Sequence, residues 1–187
     1  NDCIVFSDEI WSDLILEGHR HIPTQSISED ARNRVIAAYA PSKTFNLAGL
    51  IGSYHIIYSK YLRDRVEKQS RLSGYNHMNV LSMHGLIGAY EPEGEEWVDE
   101  LCEVLSGNIS WACDYIAKHF EGVRVSKPQG TYMLYLDCHE WLEKHGKSLD
   151  ELLRAGIAVG VIWQDGAAFR QPDTIRLNLA LPRTRVE

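Results

Sequence analysis

Lys43 carries an amine that could act as a base or a nucleophile, and it comes shortly after an apolar stretch of the sequence. It lies between the apolar run 35–40 and a small-residue segment that ends at Gly52. An amine partly withdrawn from water has a lowered pKa, and its neutral form acts as a base or attacks a carbonyl carbon. The alternative is a solvated lysine at the start of a loop, which is the commoner use of this residue. Lys43 alone therefore leaves both interpretations open.

An acid and an arginine also stand at the edges of apolar patterns. Asp8 follows the apolar stretch 3–6, and ligands bind at the carboxyl ends of strands in parallel sheets. A helix cap or turn aspartate is the alternative. Arg176 lies inside the apolar pattern 174–181, where a guanidinium is costly to bury without a partner. A substrate carboxylate suits its planar fork, and an internal bridge to Asp or Glu is the alternative.

The elements that must position Asp8 and Lys43 follow an α/β pattern. Buried strands are predicted at 3–6, 35–40 and 52–58, and helices at 59–71 and 75–89. Strands that alternate with helices are typical of a mostly parallel sheet covered by helices.

The second half reads as a small α+β unit that is entered by a long helix. Pro92 should stop the preceding helix. The predicted elements are a helix over 95–120, strands at 123–125 and 131–136 around a turn at 127–130, helical pieces at 140–144 and 148–155, and strands at 157–161 and 174–181. We therefore expect two domains, 1–93 and 94–187.

Charge and cysteine content limit the class of partner. A net charge of -7 argues against nucleic acid or an anionic membrane as the main partner, and no apolar stretch has the length of a membrane span. The 4 cysteines form no CxxC pair and the 8 histidines no HxxxH pair. We therefore expect no metal site, reduced and mostly buried thiols, and a cytoplasmic location.

Five segments together resemble a known family. They are 7–10 (Ser-Asp-Glu-Ile), 40–46 (Ala-Pro-Ser-Lys-Thr-Phe-Asn), 128–132, 165–169 and 175–183. In this order they are similar to the signatures of pyridoxal-phosphate enzymes of fold type I, the aminotransferase fold, and closest to the carbon–sulfur β-lyase branch that contains cystathionine β-lyase and cystalysin. The resemblance implies the C-terminal part of a large domain with a mostly parallel sheet, followed by a small α+β domain.

The resemblance also implies roles for individual residues. Lys43 would form the Schiff base with pyridoxal 5′-phosphate, then take the substrate Cα proton and help to protonate the departing sulfur. Asp8 would pair with the pyridine nitrogen and keep it protonated. Ile10 would pack under the ring, Ser42 would contact the phosphate, and Arg176 would bind the substrate carboxylate.

Two positions depart from the family pattern. Many aminotransferases carry a phosphate-binding arginine eight residues after the lysine, where this chain has Ile51. The lyase branch also lacks that arginine, which favours a lyase. Trp11 stands where many relatives have tyrosine or histidine near the ring hydroxyl, so it is expected to bind the cofactor with different local hydrogen bonds.

The implied activity is a lyase that converts an amino-acid substrate such as cystathionine to pyruvate, ammonia and a thiol. The alternatives are an aminotransferase of amino acids and a non-catalytic regulatory or interaction protein on the same scaffold. Retention of Asp8, Lys43 and Arg176 speaks against the last. Relatives carry a long N-terminal region with the glycine-rich phosphate loop, so we expect this sequence to be a fragment of a full-length homodimer.

Overall fold

The computed structural model describes residues 2–75 and 77–187. The chain divides into two compact units, Asn1–Glu100 and Leu101–Glu187. The expected domain boundary after residue 93 stays a prediction.

The first unit is built on a three-stranded sheet in the order β1 (Val5–Asp8), β2 (Val35–Tyr39) and β3 (Tyr54–Ile56). β1 and β2 are parallel, whereas β3 runs antiparallel to β2. The crossover between the parallel strands contains a short 3-10 turn at Thr24–Ser26 and helix α1 (Glu29–Arg34). The second and third strands are confirmed within their predicted ranges, and the antiparallel third strand makes this sheet mixed.

The first strand differs from the expectation in position and in burial. It starts at Val5 rather than Cys3, and Ile4 and Phe6 are 61% and 62% exposed. The predicted full burial was wrong because β1 is an edge strand whose alternate side chains point to a face without cover among the described residues.

The helices of the first unit begin at side-chain caps. α2 (Lys60–Ser73) follows Ser59, whose hydroxyl accepts a hydrogen bond from the Leu62 N–H. α3 (Val80–Ala89) follows Asn79, whose side chain accepts from the Ser82 N–H. This cap explains why the helix expected from residue 75 starts later; residue 76, within that expected range, lies outside the described residues.

The long helix α4 (Pro92–His119) opens at Pro92. The predicted break is confirmed, since α3 ends at Ala89. Pro92 itself occupies the first turn of α4, where no intrahelical hydrogen bond needs the N–H that proline lacks.

The second unit has an antiparallel sheet in the order β4 (Arg124–Val125), β5 (Met133–Asp137), β7 (Thr174–Asn178) and β6 (Gln164–Asp165). Helices α5 (His139–His145), α6 (Leu149–Ala158) and α7 (Arg183–Val186) complete it. The buried apolar residues of this unit are Leu105, Ile109, Ala112, Cys113, Ile116, Leu134, Leu136, Cys138, Leu142, Ile175 and Leu179.

The strand predicted at 157–161 is absent from the described residues. Ser148 and Glu151 form a capping box that starts α6, and the helix continues through Ala158. Gly160 then adopts φ +83° and closes the helix with a turn, which leaves Val159 78% exposed. The capping box at Ser148 and Glu151 therefore determines the structure at residues 157 and 158, which are helical despite their apolar, strand-like pattern.

The cysteines are all free thiols; Cys113 and Cys138 are buried, Cys102 is half-buried and Cys3 is exposed. None of the helices in the described part of the chain combines the length and apolar composition that a bilayer crossing needs.

Candidate active site

Asp8 is the last residue of β1, where it pairs with Ala38 across the parallel ladder. Its Oδ1 accepts a hydrogen bond from the Ile10 N–H at 3.2 Å. The next peptide is also fixed, since the Glu9 N–H donates to the Ala38 carbonyl at 2.9 Å. Asp8 is exposed and forms no ion pair with the described residues. Its carboxylate is therefore available to an external donor.

Lys43 lies in the turns that follow β2. The Phe45 N–H donates to the Pro41 carbonyl at 2.9 Å, and the Leu47 N–H donates to the Ser42 carbonyl at 3.0 Å. The Lys43 side chain is half-buried, and within residues 2–75 and 77–187 its amine has no hydrogen bond or ion pair. Because β1 and β2 are parallel, the segments carrying Asp8 and Lys43 leave the same edge of the sheet.

A buried hydroxyl beside Lys43 ties its turn to the segment after β1. Thr44 is only 1% exposed, and its Oγ1 donates to Asp13 Oδ2 at 2.8 Å. Sequence reasoning missed both residues, although Thr44 lies within the 40–46 motif. For Thr44, the available signal was a polar residue directly beside the proposed catalytic lysine.

Glu9, the residue after Asp8, is buried at 5% exposure and fully occupied by partners. Oε1 accepts from the Ser7 hydroxyl and the Thr24 N–H, each at 2.9 Å, and Oε2 contacts His21 Nε2. Burial by itself raises the pKa of Glu9, but the hydrogen bonds from Thr24, His21 and Ser7 outweigh it and leave the pKa below its ordinary value. This network fixes the strand end that carries Asp8.

The other residues expected to bind the cofactor lie on the same two segments. Ile10 and Trp11 belong to the turn that follows β1, and Ser42 precedes Lys43. All three are half-buried. The Leu14 N–H donates to the Trp11 carbonyl at 3.1 Å, which closes the turn. Their contacts with a cofactor remain predictions.

Arg176 belongs to the second unit and lies in β7, opposite Tyr135 on one side and Gln164 on the other. Its Nε donates to Gln164 Oε1 at 2.6 Å, and its guanidinium carbon lies 4.2 Å from the centre of the Phe169 ring. The described residues provide it with no Asp or Glu partner, so the internal bridge weighed in the sequence analysis does not form among them. The terminal nitrogens of Arg176 can therefore receive a ligand carboxylate.

The donor set of the first unit fits pyridoxal phosphate. Asp8 has an exposed carboxylate that would suit a protonated ring nitrogen, and Lys43 has an amine, without a partner among the described residues, that would suit the aldehyde. These two groups would hold opposite ends of the ring.

Comparisons of the sequence with family models and with known proteins point to the same family. The model of the family "aminotransferase class I and II" matches residues 1–187. Cystathionine β-lyase PatB of Bacillus subtilis is 35% identical over 152 residues, which cover 81% of this chain and 39% of PatB.

Two crystal structures with bound pyridoxal phosphate superpose on almost the whole chain. Cystalysin from Treponema denticola matches with a TM-score of 0.88 and 26% identity, over 100% of this chain and 47% of cystalysin. A protein from Clostridium difficile 630, classed as an aminotransferase, matches with a TM-score of 0.86 and 34% identity, over 98% of this chain and 47% of its own. The predicted α/β fold is thereby confirmed, and the chain spans about half the length, or less, of the relatives it matches.

Proposed function

Because the chain belongs to the aminotransferase class I and II family, we propose that its protein is a pyridoxal-phosphate-dependent carbon–sulfur β-lyase. Its substrates would be amino acids with sulfur on Cβ, such as cystathionine. Water and such a substrate would give a thiol, pyruvate and ammonia.

The observation that carries this proposal is the parallel pairing of β1 and β2. Parallel strands present their carboxyl ends at one edge, so the acid that ends β1 and the segment with the amine that follows β2 lie at the same edge, as a shared ligand would require. Neither Asp8 nor Lys43 is neutralised by an ion pair within the described residues. The carboxylate of Asp8 and the amine of Lys43 are therefore both available at one sheet edge to bind a charged cofactor.

Each of the three residues has a separate task in the reaction. Bound pyridoxal phosphate supplies an electron sink for the electron pair left at the substrate Cα. Lys43 would hold the cofactor through its amine. Once the substrate amine had replaced it there, the freed amine would remove the Cα proton and return a proton to the departing sulfur. Asp8 accepts a hydrogen bond from the ring nitrogen and keeps it protonated. Arg176 binds the substrate carboxylate through its terminal nitrogens, while Phe169 and Gln164 orient the guanidinium.

Ile51 supports a lyase over an aminotransferase. It stands at the position where many aminotransferases bind the cofactor phosphate with arginine, and it is 81% exposed and apolar. An aminotransferase is the second candidate, favoured by the 34% identity to a pyridoxal-phosphate-bound protein of that class. The two reactions share the removal of the Cα proton and differ in where the electron pair and the proton then go.

The test uses the full-length protein loaded with pyridoxal phosphate and supplied with cystathionine. A lyase releases pyruvate and a thiol without an added 2-oxo acid. Pyruvate or another keto acid that forms only after a 2-oxo acid acceptor is added would contradict the lyase and favour the aminotransferase.

The variant Lys43→Ala separates an enzyme from a non-catalytic protein on the same scaffold. We expect it to lose the visible absorption of lysine-bound cofactor and to slow pyruvate release by about 10²–10⁴-fold. Lys60→Ala is the matched control, because Lys60 is exposed and paired with Asp64 on α2. A wild-type protein without that absorption and without turnover would support the regulatory or interaction role.

We also propose that the full-length protein is a cytoplasmic homodimer. Light scattering of the cofactor-loaded protein measures its mass, and a monomer would contradict the dimer.

A further inference from the structure

The hydrogen bond between Thr44 and Asp13 joins the two segments of the proposed cofactor site. Thr44 follows Lys43 directly, and Asp13 ends the turn that begins two residues after Asp8. The Thr44 Oγ1 to Asp13 Oδ2 distance is 2.8 Å, which is that of a well-formed hydrogen bond to a carboxylate. The bond spans 31 residues of sequence.

Lys43 and Asp8 have few restraints of their own. Among the described residues, the Lys43 amine has no partner and the Asp8 carboxylate accepts only the N–H of Ile10. Backbone hydrogen bonds fix each turn internally, and the Glu9 N–H to Ala38 carbonyl bond joins the end of β1 to β2. Within residues 2–75 and 77–187, no backbone hydrogen bond joins the turn after β1 to the turns after β2. The Thr44–Asp13 bond supplies such a tie.

Thr44 is well suited to this task. At 1% exposure, its hydroxyl is shielded from water that would compete for the carboxylate. Its branched Cβ restricts χ1, so the hydroxyl and the backbone beside Lys43 move together. A bond of this kind transmits the position of one turn to the other.

We propose that Asp13 and Thr44 are positioning residues that set the spacing between Asp8 and Lys43 for cofactor binding. The inference rests on the proposed function, since it concerns the same site. Neither residue would bind the cofactor itself; Thr44 would act through its neighbour Lys43, and Asp13 through the turn that follows Asp8. The alternative is that the hydrogen bond from Thr44 to Asp13 only provides a buried hydroxyl with an acceptor, and so contributes to stability without affecting the cofactor site.

The experiment measures cofactor binding by the full-length protein, with pyridoxal phosphate as the probe. Thr44→Val keeps the shape and removes the donor, and we expect the dissociation constant to rise about 10-fold. We also expect a smaller visible absorption per bound cofactor, because Lys43 is displaced from the aldehyde. Thr44→Ser restores the donor and should bring both quantities back to within about 2-fold of wild type.

The matched control is Thr174→Val in the second unit. Thr174 is also buried, at 6% exposure, and its hydroxyl donates to the Gln171 carbonyl at 2.6 Å. We expect this variant to lose thermal stability without a change in the dissociation constant. If Thr44→Val lowers the melting temperature as Thr174→Val does, and leaves cofactor binding and absorption unchanged, the inference is overturned.

Two further outcomes are also decisive. If Thr44→Val does not fold, Asp13→Ala, which removes the acceptor of the Thr44 hydroxyl, is measured in the same way. Unchanged binding and absorption in that variant would overturn the inference. A wild-type protein without lysine-bound absorption would overturn the proposed function and this inference together. Normal wild-type absorption with an unaffected Thr44→Val variant overturns the inference alone.

Discussion

Arg176 is a charged side chain whose surroundings orient it without neutralising it. Gln164 holds its Nε, and the Phe169 ring lies against its flat face. A half-buried guanidinium without an acid among the described residues retains most of its capacity to bind an anion.

We expect Arg176→Lys to weaken substrate binding. Lysine has a single ammonium and cannot bind a carboxylate through two parallel hydrogen bonds. The KM for cystathionine should rise about 10–100-fold, with a smaller effect on kcat. Steady-state kinetics of the full-length protein measure this. Arg124→Lys is the control, since Arg124 is exposed and paired with Glu140; a KM for Arg176→Lys as low as that of this control would contradict the role.

Glu9 leads to a prediction about pH. Its pKa is lowered in the folded chain, so its contribution to stability is complete above its ordinary value near 4.5 and is lost as the pH falls through the lower folded pKa. Glu9→Gln should cost about 1.5–3 kcal/mol at pH 7. The difference from wild type should shrink as the pH falls below about 4.5.

Denaturant unfolding of the two proteins at a series of pH values measures this difference. Glu103→Gln is the control, because Glu103 is exposed on α4 and should behave as wild type throughout. A Glu9→Gln difference that stays constant from pH 7 to below the folded pKa would contradict the assignment.

Sequence reasoning selected Asp8, Lys43 and Arg176 because charged residues interrupt apolar patterns there. It did not find Glu9, Asp13 or Thr44. The burial of a polar side chain depends on a partner far along the chain, and the Asp13–Thr44 separation of 31 residues leaves no local pattern.

At the scale of elements, Asn108 connects α4 to the chain that follows β7. It is 1% exposed, and its Nδ2 donates to the carbonyls of Leu179 and Leu181 at 3.1 and 2.8 Å. The two bonds fix the path of the chain three to five residues beyond Arg176.

Asn108→Ala should lower the free energy of unfolding by about 1–3 kcal/mol, because the carbonyls of Leu179 and Leu181 lose their donor and the Leu179 carbonyl belongs to a buried residue. Chemical denaturation measures the change. Ser110→Ala on the same helix is the control. Its hydroxyl accepts one hydrogen bond from the described residues, from the Lys127 amine at 3.3 Å, and we expect a change within about 0.5 kcal/mol. Equal stabilities of the two variants would contradict the role of Asn108.

Helices and strands were predicted well where their sequence signals lie within or next to the element itself. α2 was predicted closely because its cap, Ser59, is adjacent to an amphipathic pattern. The segment 157–161 was assigned wrongly because the capping box that starts α6 lies nine residues before residue 157, outside the apolar run. The helix takes in residues 157 and 158, and a turn follows. The position of β1 at a sheet edge depends on pairing between distant segments, which local patterns do not contain.

At the scale of the whole molecule, the first sheet presents an apolar face. Ile4 and Phe6 are more than 60% exposed, and Phe6 lies 6.2 Å from the His55 ring, measured between ring centres. The outer edge of β1 is unpaired within the described residues. An exposed apolar face beside an open strand edge favours association.

We therefore expect the isolated 187-residue chain to self-associate, and Phe6→Lys to reduce this by placing a charge on the face. Sedimentation velocity over a range of concentrations measures the association. Ile27→Lys is the matched control, because Ile27 is 68% exposed, lies outside the sheet and gains the same charge. Equal effects of the two variants would assign the result to net charge rather than to the sheet face.

The parallel pairing of β1 with β2 has a consequence for the order of folding. Residues 9–34 separate the two strands, so the ladder forms only after a long stretch of chain has been closed into a loop. The edge that carries Asp8 and the Lys43 turn is therefore a non-local structure, whose assembly is slower than that of α2 or α4. A cofactor that binds only the assembled edge draws the folding equilibrium toward it in proportion to its concentration, and so acts on this chain as a late folding ligand.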